Sequence, residues 1–300
     1  MCSMNSISLP DSVSIPLHEG GPSLRLNLIR RGIFLMGARG YFSVEEPAHE
    51  VSIPFDFYLG IYPVTQLQYS MWARLNDIKV DWFHTVGDFH PAYSVDWFSA
   101  NQFCQWLDAR WRKVNGEQNK DQIQDRLHVN LPTEAQWEYA CSAWIWNEGE
   151  CIDSRIYTDF HTGDAAAALS QAGWYGLNSD GKTQDVGQKL LNRHGLYDMH
   201  GNVGELCRDD WGADSYRYSP DGAASTAWKN KEKLSGGPAH VLRGGSCIAS
   251  AADCRAASRR LLQPRSRPGF NGLRVGLFPG WSLTGTGIAR NYFRYCQSHR

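Results

Sequence analysis

The chain has 300 residues, 42% of them hydrophobic and 20% charged, with 30 Lys and Arg against 31 Asp and Glu. That length builds one large domain or two small ones around a real core, and a formal charge of −1 excludes a chain-wide attraction to nucleic acid or anionic membrane. Eight cysteines occur without a CxxC pair, and the start, MCSMNSISLPDSVSIPL, lacks the basic and apolar regions of a signal peptide; the expectation is a cytoplasmic protein with buried thiols, no disulfide framework and no membrane span.

In chain order, residues 31–37 read as a buried strand ended by glycine, and residues 51–59 alternate toward a second strand. Pro63, Val64 and Thr65 open a helix whose apolar face is Leu67, Met71 and Trp72, with Thr65 as its cap. A second helix is capped by Asp96 or Ser99, and Phe98, Phe103, Trp106, Leu107 and Trp111 supply its buried stripe. Residues 113–126 read as a solvated insertion. Thr133 and Gln136 form a capping box at the start of a third, short helix. Residues 153–189 read as loop.

Residues 195–205 concentrate glycines, Asn202, Asp198 and Glu205. Such a loop either folds around a hard cation through oxygen ligands or is a plain turn in which Asp and Asn bond their own backbone. Residues 240–276 then place seven arginines (243, 255, 259, 260, 265, 267 and 274) against a single acid, Asp253. Val241 and Leu242 read as a strand running into the Gly244-Gly245 turn, and residues 273–277 as a second strand. The arginines on the connection either hold a ligand or brace backbone carbonyls.

Six separated segments carry a resemblance: FLMG near residue 34, FYLGIYPVTQLQY at 57–69, HPAYSVDWFSANQFCQWL at 90–107, LPTEAQWEYAC at 131–141, VGQKLLNRHGLYDMHGNVGE at 186–205, and VLRGGS through GLRVGL. In this order they resemble the sulfatase-modifying factor, or formylglycine-generating-enzyme-like, family. The resemblance covers about residues 30–278 and implies one α+β domain of C-type-lectin-like topology, with short helices, small sheets and much irregular structure. Residues 1–29 are then an N-terminal extension, and 279–300 a tail that is either docked or an interaction segment.

The family hosts several activities, so membership leaves the chemistry open. Its formylglycine-generating members hold copper on two cysteines and oxidise a protein cysteine with oxygen. Carried over from Gly244, Gly245 and Ser246, the second of those cysteines falls on Cys254 and the first on Ala249; only a re-routed loop would let Cys247 complete a rebuilt Cys247/Cys254 copper site. The aromatic residues that flank the glutamate after the GNV motif are also replaced, by Gly204 and Leu206 around Glu205. The family's calcium loop corresponds to Asp198, Gly201, Val203 and Glu205, the second and third acting through their backbone carbonyls, which implies a structural calcium. The ergothioneine-type sulfoxide synthases attach this domain to an iron-binding one, which a chain of this length is not expected to carry. A further group, the retroelement-diversified variable proteins, uses the fold to display varied side chains. On that pattern Arg259, Arg260, Leu262, Arg265, Arg267 and Phe270 would bind a protein or small-molecule ligand at the 247–271 loop. Binding is the favoured reading, and copper-dependent oxidation the alternative.

Overall fold

A computed structural model describes residues 9–80, 82–115, 127–142, 146–147, 150–151, 158–218, 238–267 and 269–279. Strands β1 (Ser12–Pro16), β2 (Ser23–Ile29), β3 (Gly32–Met36), β4 (His49–Ile53) and β5 (Phe57–Gly60) come first, followed by helices α1 (Gln66–Leu75) and α2 (Trp97–Asn115). Then come β6 (Leu127–Asn130), α3 (Glu134–Cys141), the short hairpin β7 (Trp146–Asn147) and β8 (Glu150–Cys151), α4 (Ala166–Ala172), β9 (Gly173–Trp174) and β10 (His200–Gly201). The last elements are β11 (Gly204–Asp210), α5 (Ser215–Tyr218), β12 (His240–Arg243), β13 (Arg259–Leu262), β14 (Asn271–Gly272) and β15 (Gly276–Pro279).

A five-stranded antiparallel sheet in the order β1-β2-β5-β15-β6 forms the base. Its central strands are buried on both faces, because successive side chains point to opposite sides. Tyr58 and Leu277 enter a core with Trp72 of α1 and Phe103, Leu107 and Trp111 of α2, whereas Phe57, Leu59 and Phe278 enter a second core with Trp137 of α3 and Val241. Residues 12–29, expected outside the domain, therefore supply two of its strands. Leu24 and Leu26 of β2 alternate into the first core.

The local signals are met where the chemistry is local. Thr65 and Thr133 each accept from the backbone of the third helical residue, while Gln68 and Gln136 reach back to the cap amides. Asp96 caps α2, its Oδ1 accepting from Ser99 N–H at 2.8 Å. The expected strand over 51–59 divides into β4 and β5 around Pro54, and residues 153–189, read as loop, contain α4. The closing strand lies at β15 rather than 273–277, with β14 just before it. The insertion beyond residue 115 and the tail beyond 279 fall outside the described residues.

A second sheet, in the order β13-β12-β11-β14, stands above α3 and carries the long loops. The parallel pair β9-β10 locks the 175–187 loop beside it. A Cβ on Gly201 would lie 2.0 Å from the Trp174 carbonyl oxygen, so that pairing requires glycine there.

Candidate functional site

Four of the seven arginines are buried braces. Arg243 pairs with Glu138 and donates to the carbonyls of Ala257 and Ser258. Arg255 grips Glu45 at 2.7 and 3.0 Å, with Tyr41 against its guanidinium face. Arg259 grips Glu134 at 2.6 and 2.7 Å, between Trp211 and Tyr216. Arg274 grips Glu205 and also donates to the carbonyls of Gly60, Ile61 and Tyr197. Bidentate pairing of this kind makes a buried guanidinium tolerable, since most of its donors are used.

This corrects half of the expected ligand-binding set. Arg259 is buried on Glu134, Leu262 belongs to the first core, and Phe270 packs with Tyr93, Val203 and Cys247. The other three reach the surface. Arg260 pairs with Asp253 at 2.6 Å, Arg265 lies over Phe98, and Arg267 meets Asp96 at 2.6 Å.

The two candidate copper thiols pack in different apolar clusters. Cys247 is in the cluster with Tyr93, Val203 and Phe270, whereas Cys254 is in another with Phe160, Leu169 and Tyr175, against which Ala249 packs. Burial pushes both thiols up to about 12, away from the thiolate form that binds metal. A Cβ on Gly245 would approach the Cys254 sulfur to 2.5 Å, so the glycine turn makes room for that thiol. The donors do not fit a two-thiolate site: where the second cysteine is needed, beside Cys254, the chain has the methyl group of Ala249.

In the expected calcium set both carboxylates already have protein partners. Both oxygens of Glu205 are taken by Arg274, and Oε2 also accepts from Trp137 Nε1 at 2.6 Å. A carboxylate already neutralised by a guanidinium offers a cation neither free charge nor free lone pairs. Asp198 Oδ2 accepts from Gly187 N–H at 2.7 Å and Oδ1 from Asn202, and burial raises its pKa to about 6. No group of three or more His, Cys, Asp or Glu side chains among the described residues is placed to hold a metal.

Asn202, a residue of the 195–205 turn, joins the loops. It is fully buried at φ 59°, exchanges bonds with both backbone groups of Gln184, donates its N–H to Trp174 and accepts from Cys247 N–H. Ser179 Oγ donates to the Cys247 carbonyl, and Gly176 N–H to that of Ala249. Val186 N–H bonds the Phe89 carbonyl, bringing in the 83–90 loop. On the outside of these joined loops stand Ile248, 60% exposed, Leu177, 85%, and Phe89, 65%. The signal for Asn202 was its position after Gly201 in a turn that only Gly, Asn or Asp enters easily.

These features define an α+β domain of C-type-lectin-like topology, displaying interlocked loops above a small sheet. The profile of the sulfatase-modifying factor enzyme 1-like domain matches residues 23–276, and the chain belongs to that family. Its fold is shared with Treponema denticola variable protein 1, at a TM-score of 0.66 and 23% identity over 90% of this chain and 100% of that one. PvdO from Pseudomonas aeruginosa gives 0.65 and 21%, with the same coverage of both chains. In sequence, the serine/threonine-protein kinase pkn1 of Chlamydia caviae is 27% identical over 274 residues, 80% of this chain and 35% of the kinase. The formylglycine-generating enzyme of Streptomyces coelicolor is 28% identical over 192 residues, 62% of this chain and 52% of the enzyme. The chain thus spans about a third of the kinase's length and about half of the enzyme's. No helix among the described residues is long and apolar enough to cross a membrane.

Proposed function

We propose that this domain is a binding derivative of the formylglycine-generating-enzyme-like family, presenting a ligand-binding face from residues 247–271 and the loops locked against them. The observation that carries this reading is Ala249. It packs into the apolar cluster of Cys254 at the position where the family's oxidases need a second thiolate, so the copper pair is reduced to one buried thiol. Exposed Ile248, Leu177 and Phe89 on backbone held by Asn202 support the binding half of the reading, because apolar groups fixed on a rigid frame are interface anchors. The kinase relative, of which the matched region is 35%, supports a recognition role for a domain joined to other activities.

Incubation of the reduced protein with Cu(I), oxygen and a cysteine-containing sulfatase peptide tests the loss of catalysis. The expected result is no aldehyde above a protein-free control. Aldehyde formation that disappears in Cys254→Ser would restore the oxidase reading.

A further inference from the structure

The loops joined by Asn202 hold three exposed apolar side chains on one frame. Gly176 N–H bonds the Ala249 carbonyl, and a Cβ on Gly176 would stand 3.3 Å from the Ile248 carbonyl oxygen, so Leu177 and Ile248 flank a single backbone contact. Phe89 joins them through the Val186 bond to its carbonyl and through His90, whose Nε2 lies 3.4 Å from Asp185. Large apolar groups left outside on backbone fixed in this way are suited to contact with another surface.

Their surroundings are acidic. Residues 83–90, 175–187 and 246–252, all of them described, hold Asp88, Asp180 and Asp185 against one lysine, Lys182. Asp88 and Asp180 are exposed and make no ion pair among the described residues. Asp253, just beyond, is paired with Arg260. This charge disfavours a second copy as the occupant, because a two-fold contact of the face with itself would set these acids against one another. The complementary occupant is basic and apolar.

Such a segment is present in this chain. Residues 280–300 contain Arg290, Arg294 and Arg300, no Asp or Glu, and the aromatic residues Tyr292, Phe293 and Tyr295 among the arginines. Arginine and aromatic side chains are the types that interfaces enrich. The 21 residues after Pro279 reach about 70 Å when extended, beyond the roughly 50 Å diameter of a domain of this size, so the loops are within reach wherever β15 ends.

We propose that residues 288–295 dock on the face of Leu177, Ile248 and Phe89, with their arginines toward Asp88, Asp180 and Asp185. The chain then covers its own binding face, and a ligand gains access by displacing the segment. The inference rests on that face being a binding surface, and it names what competes for it.

Photocrosslinking in the full chain tests it, with benzoylphenylalanine in place of Leu177, which is 85% exposed and leaves no core contact behind. In dilute solution the expected product is a crosslink within one chain to residues 288–295. Its yield is expected to fall about threefold in Arg290→Glu with Arg294→Glu, as for the reversal of two surface contacts. Adding Asp88→Arg and Asp180→Asn is expected to restore it; Asn suits the φ of 55° at residue 180. A variant that had merely lost its fold would not be rescued by two further surface changes. Absence of a crosslink to these residues, a yield indifferent to the arginine substitutions, a failed rescue, or crosslinks only between chains overturns the proposal. Any of these results beside a protein that binds no copper removes the docked segment and leaves the wider binding reading standing. Tight Cu(I) binding through the thiols removes that wider reading, whatever the crosslink shows.

Discussion

Arg274→Met is expected to destabilise the domain by about 3–5 kcal/mol, the cost of leaving one member of a buried ion pair uncompensated. Glu205 would keep only the Trp137 indole, and the carbonyls of Gly60, Ile61 and Tyr197 would lose their donor. These carbonyls belong to two chain segments, at 60–61 and 197, so the loss falls on the frame of the site as well as on one pair. Arg274→Met with Glu205→Met is expected to recover part of the stability, because no buried charge is then stranded. Urea denaturation of the three proteins checks this. The same titration in calcium and in EDTA is expected to give one midpoint, since Glu205 is spent on Arg274. A midpoint raised by calcium would show that the carboxylate is free to bind it.

The second large effect is acid lability. His200 is fully buried, with Nδ1 bonded to the Cys254 carbonyl at 2.8 Å and Nε2 accepting from His161 N–H at 3.3 Å. Burial lowers its pKa to about 3, while His161 is lowered for the same reason. Between pH about 6.5 and 3 the unfolded chain therefore holds a proton that folded His200 refuses, and stability falls as pH falls, by about 1.4 kcal/mol per unit. Asp198, raised by burial to about 6, acts in the opposite sense: the folded state takes up its proton first, so its contribution grows as pH falls from 6 toward 4. Comparing the protein with His200→Gln isolates the imidazole. The variant should show a pH slope smaller by about 1.4 kcal/mol per unit from pH 6.5 to 4, and parallel slopes would contradict the assignment.

How far the sequence could be read depended on the distance over which each interaction acts. The cap at Thr65 and the capping box at Thr133 span three residues, and both were legible; that Gln68 completes a box at Thr65 was not. The strand endings at Gly37 and Gly244 were legible for the same reason. By contrast, the four buried arginines of residues 240–276 find their carboxylates 69 to 210 residues away, at Glu205, Glu138, Glu134 and Glu45. No local pattern separates Arg259, which is buried, from Arg260, which is exposed next to it. Both lie on one strand, and the choice is made by which face meets α3. Phe270 and Leu262 were misplaced on the surface because the strand and cluster that cover them come from distant segments. Helix α4 was missed because its N-cap is Ala165, which makes no side-chain cap bond, and its buried contacts reduce to Leu169 and Ala172. The family itself was legible because six motifs in order constrain far more than any one.

On the proposed reading, the copper pair is lost at Ala249 and is not rebuilt from Cys247. An anaerobic Cu(I) titration against a competing chelator tests it most directly, run on the protein, Cys247→Ser, Cys254→Ser and Ala249→Cys. Weak binding indifferent to either serine substitution is the predicted result, with affinity gained in Ala249→Cys because two thiolates then meet in one cluster. Tight one-to-one binding by the unaltered protein, lost in both Cys247→Ser and Cys254→Ser, would contradict the account.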